Sequence, residues 1–114
     1  MVKVIILLPR RADHGQEEFR RYLDEKHLPL VRHLPGLQRL VVNYAVPAPD
    51  GAAPAYDAVA EDWFDSAEAM QAALASHEGQ AVYADAKNFT DMDRLAMLVV
   101  RESTIVPGSH CTEA

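Results

Sequence analysis

The stretch Val2-Lys3-Val4-Ile5-Ile6-Leu7-Leu8-Pro9 decides how the chain is read. It is rich in β-branched and aliphatic residues and stops at a breaker, as a buried strand does. Val4, Ile6 and Leu8 share one parity, and Ile5 and Leu7 share the other. A strand alternates its side chains between two faces, so apolar residues at both parities require cover on both sides. The run is too short to span a bilayer, and no small-residue cleavage site follows it. A cytoplasmic location without membrane attachment is the resulting expectation.

Working outward, residues 9–15 read as a loop and residues 16–28 as a helix. Phe19, Leu23, His27 and Leu30 recur at helical spacing, with charged residues on the other sides. Glu17 and Glu18 suit the positive end of the helix dipole. Pro29 is expected to break or kink the helix, because its ring clashes with the carbonyl of Glu25 and it donates no hydrogen bond. A further turn or two over 29–33 ends at Pro35-Gly36. Residues 37–46 read as a second strand and the Pro/Ala/Gly-rich residues 47–54 as a hairpin loop. Residues 56–64 form a third strand. Asp65 or Ser66 offers an N-cap, with Glu68 placed for a capping box with Asp65. Met70, Ala73 and Leu74 mark a second helix ending near Ser76, and a further helical piece follows Gly79, with Val82, Ala86 and Phe89 facing inward. Residues 94–102 hold the last strand, where Met97 and Val99 alternate with Leu98 and Val100.

The order β-α-β-β-α-β is the ferredoxin-like split βαβ arrangement, of α+β class. The crossover rule predicts the first and third strands as parallel neighbours, with both helices on one face. The other face then lacks cover within the chain, and a second copy packed sheet against sheet is the simplest cover. The expected assembly is a homodimer. One domain over residues 1–104 and a flexible tail over 105–114 account for the 114 residues.

The net charge of −6 disfavours a nucleic-acid partner, which needs clustered Lys and Arg. Basic residues between Arg10 and Arg39 are interleaved with Glu17, Glu18, Asp24 and Glu25. Cys111 is the single cysteine, so neither an intrachain disulfide nor a thiolate cluster is available. No His-x-x-x-His or Glu-x-x-His pair points to a metal, and no Gly-rich phosphate loop or nucleophile elbow is present.

His27 is the candidate catalytic residue. It is an imidazole on an otherwise apolar stripe, beside the break at Pro29, and imidazole shuttles protons near neutral pH. Asp24, one turn earlier, is the candidate to hold one ring nitrogen; a backbone carbonyl freed by Pro29 is the alternative partner. On the third strand Asp57, Val59, Glu61 and Trp63 share one parity, and Tyr56, Ala58, Ala60, Asp62 and Phe64 the other. Carboxylates on a buried strand are costly unless paired or useful. Asp57, Glu61 and Trp63, with Tyr44 on the second strand, are the candidate substrate-binding residues. The competing reading pairs the two carboxylates with Lys3, Arg39 or Arg101.

Phe19-Arg20-Arg21-Tyr22-Leu23-Asp24-Glu25-Lys26-His27-Leu28-Pro29-Leu30-Val31, followed by Leu34-Pro35-Gly36-Leu37, resembles the first-helix signature of the EthD family, named for ethyl tert-butyl ether degradation. Tyr56-Asp57-Ala58-Val59-Ala60-Glu61-Asp62-Trp63-Phe64-Asp65 is similar to that family's third-strand pattern. The resemblance spans residues 2–102; Leu28 stands where a Gly is typical. It implies a dimeric α/β barrel and points to His27. Similar folds serve lactone isomerases, polyketide cyclases, cofactor-free monooxygenases, decarboxylases and haem-degrading enzymes, so fold alone does not name the chemistry.

Three functions are consistent with these residues. The first is an enzyme without cofactor that moves protons on a small apolar or aromatic compound, by isomerisation, cyclisation or decarboxylation. There His27 is the acid/base, and Tyr44 or a strand carboxylate orients an oxygen. The second is a non-catalytic accessory or ligand-binding protein of an ether or hydrocarbon degradation pathway. The third is a haem-binding protein or a cofactor-free monooxygenase.

Overall fold

A computed structural model describes residues 1–108. Strands β1 (Val2–Leu8), β2 (Leu37–Tyr44), β3 (Ala58–Phe64) and β4 (Ala96–Val100) form one sheet in the order β2-β3-β1-β4. Every neighbouring pair is antiparallel. β1 and β3 are therefore antiparallel neighbours, not the parallel ones expected from the crossover rule. Each crossover joins strands that are not adjacent: β1 to β2 passes over the position of β3, and β3 to β4 over that of β1. β1 and β2 therefore run parallel with β3 inserted between them in the opposite direction, and β3 and β4 likewise flank β1.

The first helical segment is continuous but not uniform. α1 (Gln16–Tyr22) runs into a π-turn (Leu23–His27) and then α2 (Leu28–Val31). In the π-turn the Leu28 N–H donates to the Leu23 carbonyl, five residues back. Pro29 thus neither breaks the helix nor ends it. The wider turn precedes the proline, which is the second residue of α2. The buried stripe is Phe19, Leu23, His27, Val31 and Leu34, while Leu30 is half-buried. Gly36, at φ 77°, turns the chain into β2 in a conformation that favours glycine.

α3 (Ala67–Ala75) and α4 (His77–Ala86) meet at Ser76. Ser66 alone caps α3, its side chain accepting from the Ala69 N–H, so the expected box between Asp65 and Glu68 is not formed. Ser76 caps α4, accepting from the Gly79 N–H, and its hydroxyl donates to the Ala73 carbonyl. Gly79 therefore lies inside α4 rather than before it. A Cβ there would lie 2.4 Å from the Leu74 carbonyl oxygen, so glycine is what allows the two helices to turn so tightly.

All helices pack on the face bearing Val4, Ile6 and Leu8. Phe19, Leu23, Ala58, Ala60, Ala86 and Phe89 close one part of the core, and Val31, Leu34, Phe64, Met70 and Ala73 the other. The opposite face carries Ile5, Leu7, Val41, Val59 and Leu98 together with Lys3, Glu61 and Trp63, as the strand registers place them. It has no helix over it, and Leu98 is exposed. Residues 101–108 have no regular structure and are exposed. The rest of the expected tail, with His110 and Cys111, lies outside the described residues. No helix among the described residues is long and apolar enough to cross a membrane.

Candidate active-site cavity

Between the sheet and the helices lies a cavity of about 460 Å³, within the usual range of roughly 300–1,000 Å³ for small-molecule sites. Ile6, Leu8, Leu40 and Ala60 form its floor, and Leu23, Val31, Val82 and Ala86 its roof. Leu74, Tyr83 and Met97 line it too and are exposed. The walls are almost entirely apolar, because the floor is the helix-facing parity of the strands and the roof is the buried stripe of each helix.

His27 reaches this cavity from the π-turn. The residue is only 7% exposed. Its Nδ1 lies 2.9 Å from Asp85 Oδ2, and its ring packs against Phe89 at 4.6 Å between centroids. The Asp85 carboxylate is itself held: the Tyr22 hydroxyl donates to Oδ1 at 2.6 Å and the Asn88 amide to the same oxygen at 3.1 Å. Tyr22 stacks on Phe89 as well. Burial alone would push the Asp85 carboxyl up, but the bonds from Tyr22, His27 and Asn88 outweigh it and hold it below the ordinary carboxylate range. Burial pushes the His27 imidazole below its ordinary value, and the bond and charge of Asp85 offset this only in part. At neutral pH the imidazole is therefore uncharged. With Nδ1–H donating to Asp85, Nε2 carries the lone pair. Nε2 makes no hydrogen bond among the described residues, so it is free to act as a base.

A second titrating group lines the cavity. Asp62, on β3, is 4% exposed, and its Oδ1 is sealed from solvent without a hydrogen-bond partner among the described residues. Burial pushes its pKa up to about 6.

The other sequence-derived candidates lie elsewhere. Asp24 does not hold His27; it accepts a hydrogen bond from the Tyr44 hydroxyl. Burial, then that bond, raises the Tyr44 pKa, and its ring lies beneath Arg20. Asp57 accepts from the Arg10 backbone N–H at 2.9 Å and tethers the loop after β1. Glu61 pairs with Lys3 at 2.8 Å and accepts from Asn43 at 2.9 Å. The Lys3 bond, opposed by burial and reinforced by Asn43, lowers the Glu61 pKa. Trp63 has Lys3 at 4.6 Å and Arg39 at 4.8 Å from its ring. None of Tyr44, Asp57, Glu61 and Trp63 lines the cavity. The reason for Glu61 and Trp63 is parity: they point to the outer face of the sheet, while Ala58, Ala60, Asp62 and Phe64 point to the helices. Two signals in the sequence mark the site residues that its motifs leave out. Alanines at positions 58 and 60 are small enough to admit helices, which makes theirs the cavity parity. Asp85 stands three residues after Val82 and four before Phe89, on an inward-facing stripe. Among the described residues, no group of three or more His, Cys, Asp and Glu side chains is placed to hold a metal.

The class defined by these features is a ferredoxin-like α+β domain whose sheet and helices enclose an apolar cavity with a histidine on its wall. The EthD domain matches residues 11–93, and the chain belongs to the EthD family. An uncharacterised 11.0 kDa protein from the thcB–thcC intergenic region of Rhodococcus erythropolis is 33% identical over 107 residues, covering 94% of this chain and 100% of that protein. The crystal structure of an EthD family protein from Bacillus halodurans superimposes with a TM-score of 0.79 at 30% identity, over 90% of this chain and 99% of that one. SnoaB, a cofactor-independent oxygenase from Streptomyces nogalater, shares the fold, with a TM-score of 0.65 at 13% identity over 94% of this chain and 97% of its own.

Proposed function

We propose that this protein is an enzyme that moves protons on a small apolar or aromatic compound, using its own side chains as acid and base. The observation that carries the reading is a neutral His27, anchored through Nδ1 by Asp85 and lining a mostly apolar cavity. A buried imidazole with an oriented second nitrogen and an available Nε2 is the arrangement a general base needs. His27 takes a proton from substrate carbon or oxygen, Asp85 steadies the resulting imidazolium, and the proton returns to the same or another atom. Isomerisation and cyclisation follow from where it returns; decarboxylation uses the same group to protonate the carbanion left behind. SnoaB, described as acting without a cofactor, supports the view that this fold accommodates such chemistry.

We further infer that the working unit is a cytoplasmic homodimer in which the outer sheet faces of two copies form a barrel. The apolar residues Ile5, Leu7, Val41, Val59 and Leu98 on that face, set around the Lys3–Glu61 ion pair, support it. Sedimentation equilibrium at micromolar concentration tests it, and a monomer there refutes it.

The test of the chemistry does not require knowing the natural substrate. Small oxygenated apolar compounds are incubated with the protein in deuterium oxide, and label uptake is followed by NMR. Wild type is expected to catalyse exchange, and His27→Gln to lose at least about a hundredfold of it while remaining folded. Binding without exchange by wild type supports the second reading, an accessory or ligand-binding role, for which the apolar walls alone suffice.

A further inference from the structure

Asp62 has no part in the mechanism above, yet it lines the same cavity. By strand register it sits between Val4 of β1 and Leu40 of β2, both apolar. The backbone groups around it are committed to the sheet ladder. Its Oδ1 has no partner among the described residues. A buried unpaired carboxylate is expensive, and apolar surroundings favour the neutral acid, which is a hydrogen-bond donor. Asp62 lines the cavity, so a molecule entering it can supply an acceptor for that donor.

We propose that Asp62 is a second catalytic residue, whose carboxylic O–H donates to the oxygen of an enolisable ketone while His27 removes a proton from the adjacent carbon. This rests on the acid–base reading of the cavity and deepens it by naming the substrate class. The α C–H bond breaks and its proton passes to Nε2 of His27. The electron pair left behind becomes the C=C bond, and the carbonyl π pair moves onto oxygen. There the Asp62 O–H stabilises the developing charge, as a neutral carboxylic acid in an apolar site does strongly. Reprotonation of the same or a conjugated carbon returns the proton, with no net oxidation. Below about pH 6, where Asp62 keeps its proton, a ketone fits better than an amine, because a cationic ligand would need the anionic form.

The probes are β-tetralone, its parent hydrocarbon tetralin, and aminotetralin, used with the full-length protein just below pH 6, where Asp62 keeps its proton. Wild type is expected to bind β-tetralone about tenfold more tightly than tetralin and to catalyse its α-exchange in deuterium oxide. Asp62→Leu fills the position with an apolar side chain, so it is expected to keep tetralin binding, lose the preference for the ketone and lose about a hundredfold in exchange. Asp62→Asn retains an N–H donor and is expected to retain the ketone preference. Unchanged preference and exchange in Asp62→Leu overturn the proposal. So does wild type that prefers aminotetralin, or that shows no preference for the ketone. If Asp62→Leu is inert in this sense while His27→Gln loses exchange, only the role of Asp62 falls. If His27→Gln exchanges like wild type, the acid–base reading itself fails.

Discussion

Replacing Asp62 by asparagine should change how stability depends on pH. Burial raises the folded-state pKa from 3.8 to about 6, so the folded protein binds this proton more tightly than the unfolded chain. The stabilising contribution of the protonated carboxyl is fully present below the unfolded value and is lost as pH rises through about 6. At about 1.4 kcal/mol per pH unit, the loss approaches about 3 kcal/mol at neutral pH. For a chain of this size that is a midpoint shift on the order of 10 °C. Asparagine carries no such proton. The difference between variant and wild type should therefore swing by about 2.5 kcal/mol in favour of the variant between about pH 4 and pH 7.5. Any fixed difference between asparagine and neutral aspartic acid cancels in that comparison, as do Asp85, Glu61 and His27, which titrate in both proteins. Urea unfolding at constant protein concentration measures it. Parallel stability profiles for the two proteins would refute the assignment of Asp62 as a buried, unpaired acid.

Other outcomes rest on the same contacts. Asp85→Asn removes the group that partly offsets burial, so the His27 pKa should fall further; NMR titration of the imidazole checks it, and exchange activity should drop at least about tenfold. Because the folded His27 pKa is already lowered, its contribution to stability is present above the ordinary imidazole value and is lost as pH falls through the folded one. His27→Gln should flatten that part of the profile in the same urea assay. Gly79→Ala places a methyl against the Leu74 carbonyl and should cost about 1–3 kcal/mol, read by thermal unfolding. Val59→Arg puts a charge in the middle of the outer sheet face and should shift the sedimenting species to monomer, with the cavity and helix packing intact by circular dichroism.

Much of this fold is legible from periodicity, because each strand and helix shows its own pattern over several residues. Strand identity and element order follow from runs such as residues 2–8 and 56–64. His27 is legible for the same reason: a polar group interrupts an apolar stripe. Asp85 is less legible, since the contact joins residues 58 positions apart and only packing of α4 against the π-turn creates it. Asp62 shows a different limit. The parity of β3 is plain in the sequence, but which parity faces helices depends on the small size of Ala58 and Ala60. The expectation of parallel β1 and β3 failed because a crossover rule constrains pairs of strands and is silent about a third strand inserted between them.

The π-turn has a consequence for how this cavity can change over time. A π-turn holds one residue more than the α-helical turn it replaces, so the aim of His27 is a matter of chain count as well as residue type. Deleting a single exposed residue among Asp24, Glu25 and Lys26 would restore ordinary winding and rotate the downstream residues by roughly 100° about the helix axis. The imidazole would leave Asp85 while every cavity-lining side chain kept its identity. In this architecture a change of function can thus arrive as a one-codon deletion on the solvent side of a helix. Two relatives with matching pocket residues can differ in chemistry if one of them lacks that extra position.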